Sequence, residues 1–233
     1  MSTSKPTIVL VHGAFADSSS WNGVVAKLQR DGYPVVAVPN ELRDLQGDAD
    51  YVKSVLDITD GPVVLVGHSY GGAVITNAAA GNPNVKALVY VAGFAPDAGE
   101  KVNDILDKFP GSTLGETLEQ IPLADGSTAA RVRQDLFRQQ FAADVPAEEA
   151  RLAAVAQRPV NNRVFDQLTG TPAWQSIRSY FLIPTADKNI PPVAQEFMAE
   201  RARGTVVTVD GASHAVLISE PTITADLIEQ AAG

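Results

Sequence analysis

Residues 64–74 read VLVGHSYGGAV: an apolar, β-branched run, a glycine-rich corner centred on a serine, then an apolar run with helical character. The first part suits a strand buried on both faces and the part from Gly71 suits a helix, so Ser69 stands at a strand-to-helix corner. Glycines at 67 and 71 remove Cβ clashes on either side of a strained residue and let helix and strand approach closely. Such a bend pushes the Ser69 hydroxyl clear of the sheet. It also sets the backbone N–H of Tyr70 at a helix N-terminus, where donors are free and the dipole favours negative charge. This is a corner built for attack on a carbonyl. A phosphate cradle is excluded, because no Walker lysine follows and Gly-x-Gly-x-x-Gly does not occur. A bare Gly-x-Ser-x-Gly also arises by chance as a plain turn, and the flanking strand and helix are what give this one its meaning.

Outward from the corner, similar runs recur at 7–11 (TIVLV), 34–38 (PVVAV), 62–66 (PVVLV), 85–92 (VKALVYVA), 180–183 (YFLI) and 205–209 (TVVTV). They do not alternate in polarity, as expected of strands covered on both faces of a parallel sheet. Helical patterns lie at about 21–30, 48–59, 71–80, 191–202 and 221–232. A serine of SSSW is placed to cap the first of these, and Gly32 to end it. The alternation predicts an α/β fold with a doubly wound, mostly parallel sheet.

The rhythm breaks between Pro96 and Ser176, where no core strand is expected. DVPAEEARLAAVAQRP at 144–159 reads as a helix with Asp144 as N-cap, Glu148 and Glu149 in the first turn and Pro159 beyond its end. The expectation is a core formed by 1–95 and 177–233, with a mostly helical cap, 96–176, inserted in it. Phe109, Leu118, Phe137, Phe141, Phe165 and Trp174 of that segment are candidates to line a pocket, against the plainer reading that they pack a core.

The chain has 233 residues, 45% hydrophobic and 19% charged, which fits one large globular α/β domain. A net charge of −9 with dispersed Lys and Arg offers no basic stripe to nucleic acid and argues against docking on anionic membranes. No apolar run approaches the roughly 20 residues of a membrane-spanning helix. MSTSKPTIVLVHG carries one lysine and runs straight into a strand, without a small-residue cleavage site, which predicts a cytoplasmic protein. The absence of cysteine excludes disulfides, thiolate catalysis and cysteine-ligated zinc. No His/Asp cluster with metal-ligand spacing is visible.

A serine nucleophile needs a base, and three histidines are present. His12 ends the first strand, and the side chain of His68, next to Ser69, is expected to point away from it. His214, in DGASHAV after the last strand, lies at the carboxyl edge where open α/β sheets collect catalytic loops. Asp187, in YFLIPTADKNIPP just past the preceding strand, is the favoured acid, with Asp97 and Asp210 as rivals. The order Ser69, Asp187, His214 is the one associated with this corner. An oxyanion wants two donors: the N–H of Tyr70, and that of Ala14 or its neighbour Phe15 in HGAFADSSSW.

LVHGAFADSSSW, LVGHSYGGAV, IPTADKNIPP and GASHAV, in this order and spanning nearly the whole chain, resemble the α/β-hydrolase fold superfamily of serine esterases. HGAF with a tryptophan close behind, and the long helical insert, are similar to bacterial carboxylesterases and to the plant methylesterase and hydroxynitrile lyase group. The resemblance implies a small-molecule ester substrate and an acyl-enzyme formed on Ser69, in a reaction that needs neither metal nor other cofactor. Proton transfer would fall to His214, and the oxyanion would sit between the N–H groups of Ala14 and Tyr70. Phe15, Phe137, Phe141 and Trp174 are candidates for the substrate pocket. A lyase, a perhydrolase or a carbon–carbon hydrolase would share fold and triad, and some plant hormone receptors resemble hydrolases with intact triads. Hydroxynitrile lyases of this fold resemble one another in placing a lysine directly after the catalytic histidine, where this chain has Ala215.

Overall fold

Strand β1 (Thr7–Val11) shows why the apolar runs do not alternate. In the computed structural model, which describes residues 5–233, it sends Ile8 and Leu10 into one apolar layer and Val9 and Val11 into another. A strand covered on both faces needs apolar side chains at every position. Further strands are β2 (Val35–Val38), β3 (Val63–His68), β4 (Val85–Val91), β5 (Leu118–Pro122), β6 (Thr128–Val132), β7 (Val160–Asn161), β8 (Ser179–Pro184) and β9 (Thr205–Val209). Six of them form one sheet in the order β2-β1-β3-β4-β8-β9, and each neighbouring pair is parallel.

Helices α1 (Asn22–Arg30) and α9 (Pro221–Ala232) cover one face through Val24, Leu28, Leu227 and Ile228. The other face is covered by α2 (Leu45–Asp57), α3 (Tyr70–Ala78) and α7 (Pro192–Arg201), through Val52, Leu56, Val74 and Met198. The remaining helices are α4 (Val102–Lys108), α5 (Gln134–Phe141), α6 (Ala147–Ala156) and the short α8 (Val216–Ser219). The chain leaves β1 for β2 on one side and returns as β3 on the other, so the strand order reverses between β1 and β3. The crevice at the carboxyl ends of such a pair is where open α/β sheets bind ligands. No helix among the described residues is long and apolar enough to cross a membrane.

Local details depart from the sequence expectations for physical reasons. No serine side chain caps α1: Asp17 accepts the N–H of Ser19 and starts a 3-10 turn, Ser18–Trp21, which leads into the helix. Helix α2 begins earlier than expected because Asp44 accepts the N–H of Gly47. Asp144 does not cap α6, whose N-cap position is held by Pro146; it accepts a hydrogen bond from Ser213 Oγ instead. The segment 96–176 carries, beside its helices, a three-stranded antiparallel sheet in the order β5-β6-β7. β5 is largely exposed, β6 is interrupted by Thr128 and Arg131, and β7 is only two residues long, so none carries the continuous apolar run that marks a core strand.

Candidate active site

Ser69 joins β3 to α3 with φ of 54°, in the left-handed region that a side chain makes costly. Three backbone bonds fix it there: its N–H donates to Val91 O (3.1 Å), and its carbonyl accepts from Gly72 (2.9 Å) and Phe94 (3.1 Å). The corner closes only because its neighbours lack side chains. A Cβ on Gly67 would stand 2.4 Å from Gly71 O, and one on Gly13, in the loop after β1, 2.6 Å from Ser69 Cβ. The switch point thus brings the β1 loop against the serine.

His214 lies beyond β9, almost wholly buried, and donates from Nδ1 to Asp187 Oδ2 at 2.7 Å. That bond fixes the tautomer and leaves Nε2 as the free nitrogen. Asp187, in the loop after β8, accepts three further bonds: Oδ1 from the N–H groups of Asn189 (2.8 Å) and Ile190 (3.0 Å), and Oδ2 from Gln195 Nε2 (2.8 Å). A carboxylate with four donors is held immobile. The imidazole lies between two rings, with Phe141 edge-on at 4.8 Å and His68 at 4.8 Å between centroids.

The other histidines have structural bonds. His68 donates from Nε2 to the His214 carbonyl (3.0 Å), and burial, then the nearby His214, push its pKa well below the usual value, so it is neutral. His12 donates from Nδ1 to Gly13 O and accepts the N–H of Asn40 at Nε2, each at 2.9 Å, and burial lowers its pKa too. Both support the loops that carry the site.

Ser69 and His214 open onto one cleft of about 20 Å³, lined also by Ala14, Phe15, Phe94, Leu106, Leu114, Phe141, Phe165, Asn189 and Ile190. Such a space holds about one water-sized molecule. Phe15 and Phe141 separate it from a larger cavity of about 250 Å³ that Phe137 and His68 help to line. Among the described residues no hydrogen bond joins Ser69 Oγ to His214, and no group of His, Cys, Asp or Glu is arranged to hold a metal ion.

The family model described as the Alpha/beta hydrolase family matches residues 8–227. The chain belongs to the alpha/beta hydrolase family. It is 28% identical to esterase PIR7B of Oryza sativa subsp. japonica, with 97% of this chain and 96% of that protein covered. It is 26% identical to salicylic acid-binding protein 2 of Nicotiana tabacum, over 95% of each. The structure of polyneuridine aldehyde esterase matches it with a TM-score of 0.84 over 97% of this chain and 98% of that one. At 18% identity, that likeness shows a common fold.

Within this alpha/beta hydrolase the residues singled out in the sequence fall into two groups. Ser69, His214, Ala14, Phe15 and Phe141 line the small cleft, with Asp187 behind His214. Phe137 and Trp174 do not line it. Phe137 stacks on Phe141 one helical turn away, at 5.0 Å, so only the C-terminal end of α5 reaches Ser69. The Trp174 indole N–H donates to Pro96 O (2.9 Å), and its ring lies 5.4 Å from the Arg201 guanidinium carbon, which fixes it in the junction between insert and core. Asp97 accepts from Ala98 N–H and Gln175, and Asp210 from Thr185, so neither meets His214. Sequence reasoning missed Gln195 and Asn189. A Gln in the first turns of a helix that follows the acid loop was the available signal for Gln195.

Proposed function

We propose that this alpha/beta hydrolase cleaves small carboxylic esters by nucleophilic catalysis from Ser69. The observation that carries the reading is a strained serine sharing a cleft with an imidazole whose other nitrogen is locked by a four-bonded carboxylate. In this reading His214 Nε2 takes the proton as Ser69 Oγ attacks the ester carbonyl, and Asp187 stabilises the imidazolium without itself taking the proton. Contact between Ser69 and His214 tightens when substrate is present, as catalytic hydrogen bonds often do. The oxyanion lies between the N–H groups of Ala14 and Tyr70, the latter at the free end of α3. The alcohol leaves with the proton from His214, and water repeats the sequence on the acyl-enzyme.

The narrow cleft, walled by Leu106, Leu114 and Phe165 from the segment 96–176, supports small acyl groups and a cap role for that segment. The esterase name of the rice relative agrees with the chemistry.

Lyase chemistry has less support. A departing cyanide needs a fixed cation in a dry site, but Ala215 follows His214, and Lys188 Nζ lies at an exposed bond to Gln139 O (3.2 Å). An organophosphonate should add once per chain to the wild type and not to Ser69→Ala, by intact mass. Esters of graded size should turn over only where Ser69 is present. Adducts persisting in Ser69→Ala, or Ser69-dependent cyanide release from mandelonitrile exceeding the best ester rate, would overturn the reading.

A further inference from the structure

Three polar side chains beside the cleft form a chain whose direction can be worked out. Gln140 Nε2 lies 3.1 Å from the Lys188 carbonyl and 2.8 Å from Asn189 Oδ1, while Thr113 Oγ1 donates to Gln140 Oε1 at 2.9 Å. A backbone carbonyl can only accept, so the end of the Gln140 amide that faces Lys188 is its NH₂ group. That NH₂ also reaches the Asn189 side chain and must meet an oxygen there. The Asn189 amide is therefore fixed with Oδ1 occupied and its own NH₂ group turned away from Gln140.

Asn189 Nδ2 is buried and has no partner among the described residues. The residue is 3% exposed and lines the cleft beside Ser69 and His214. Its backbone cannot relax freely to find a partner, since its N–H is bound to Asp187 Oδ1. An unpaired buried donor is costly to keep, and one held in this way beside a nucleophile is explained by a partner that arrives with the ligand. The neighbouring walls, Phe94, Leu106, Leu114, Phe165 and Ile190, are apolar, so Asn189 is a directional donor in otherwise apolar surroundings.

Resting on the esterase reading, we propose that Asn189 is a specificity-determining residue whose Nδ2 donates a hydrogen bond to a second oxygen of the substrate. The preferred esters carry an ether, hydroxyl or keto oxygen close to the scissile ester group, and a hydrocarbon ester of the same shape leaves the donor unpaired. Sites that hydrogen-bond a substrate discriminate strongly against analogues lacking the partner, whereas apolar pockets discriminate weakly.

Two pairs of near-isosteric esters test this and locate the oxygen: 4-nitrophenyl methoxyacetate against butyrate for the acyl side, and 2-methoxyethyl acetate against butyl acetate for the alcohol side. The readout is the kcat/KM ratio within each pair, divided by the same ratio for hydroxide-catalysed hydrolysis. The wild type should favour the oxygenated ester in one pair, and Asn189→Leu should lower that ratio by about tenfold. Asn189→Asp, which replaces the donor by an acceptor, should lower it as well and serves if the leucine variant does not fold. Unchanged ratios in both variants, or a crystal structure with the oxygenated product in which Nδ2 meets only an ordered water, would overturn the proposal while leaving ester hydrolysis standing. No Ser69-dependent turnover of any of the four esters would overturn both readings.

Discussion

At Ser69 and Asp187 the fold commits rigidity to two single residues. A left-handed conformation at a serine costs on the order of 1–2 kcal/mol, and the bonds to Val91, Gly72 and Phe94 hold it in place. Asp187 has both oxygens saturated, two donors on each, so an isosteric amide cannot replace it quietly: two of its four donors would face an NH₂ group whichever way the amide turns. In Asp187→Asn the His214 Nδ1–H is the bond at risk, and with it the tautomer that leaves Nε2 free. Turnover of a good ester should fall by about 10⁴ with an unchanged far-UV circular dichroism spectrum, by analogy with the serine-protease triad. Asp97→Asn, in a carboxylate bonded among the described residues only to Ala98 and Gln175, should stay within about twofold; a reversal of the two effects would place the acid elsewhere. The positions of Ser69, Asp187 and His214 beyond the ends of β3, β8 and β9 were legible because each follows an apolar, β-branched run. Gln195 and Asn189 were not, because an amide shows its role only when its partners are known, and Gln140 reaches Asn189 across 49 residues of sequence.

Helix α5 ends against the loop that carries His214, and its last residue acts through both backbone and ring. The Phe141 carbonyl accepts from Ala215 N–H (3.0 Å) and Ser213 Oγ (3.3 Å), while the ring stands edge-on to His214 and forms part of the wall between the two cavities. Asp144, a few residues on, is the closer acceptor of the same single Ser213 O–H, which the two oxygens share. The insert is thereby attached to the histidine loop, a use of Asp144 that a helix-capping pattern could not disclose. The hairpin of β5 and β6 was illegible for a related reason: its pairing depends on partners within the segment 96–176, β5 is largely exposed, and the buried Ala129, Ala130 and Val132 of β6 are too few and too small to mark a core strand. Phe141→Ala keeps the backbone bonds and opens the partition on its Phe141 side, leaving Phe15 in place. Joining the cleft of about 20 Å³ to the cavity of about 250 Å³ should shift the optimum acyl chain toward longer esters, read as kcat/KM across acetate to octanoate. The same variant should lose about 3–5 kcal/mol of stability in denaturant titrations. An unchanged acyl preference would show that the wall is not the limit on acyl length.

For the molecule as a whole, the sheet's strand order places the site, and the groups buried beneath it set the response to pH. Asp48 of α2 is buried under α3, accepting from the Tyr70 hydroxyl (2.8 Å) and the Arg43 N–H (3.3 Å). Burial outweighs those bonds and pushes its pKa from 3.8 up to about 6. Between these values the folded protein holds a proton that the unfolded chain releases. Stability from this group is therefore complete below the unfolded pKa and is lost as pH rises through about 6. His12 and His68 act in the opposite sense: burial holds both below the ordinary 6.5, so the unfolded chain binds their protons first and their contribution is lost as pH falls. Two histidines against one carboxyl predict a net loss of stability in mild acid, with Asp48 offsetting part of it. Asp48→Asn removes the offset and leaves the histidines untouched. Between pH 7 and pH 5 the stability difference between wild type and Asp48→Asn should therefore move by about 1 kcal/mol in favour of the wild type, measured by urea denaturation. Parallel stability–pH curves for the two proteins would show that Asp48 titrates alike in the folded and unfolded chains, and that the burial of this carboxylate beneath Tyr70 carries no energetic cost.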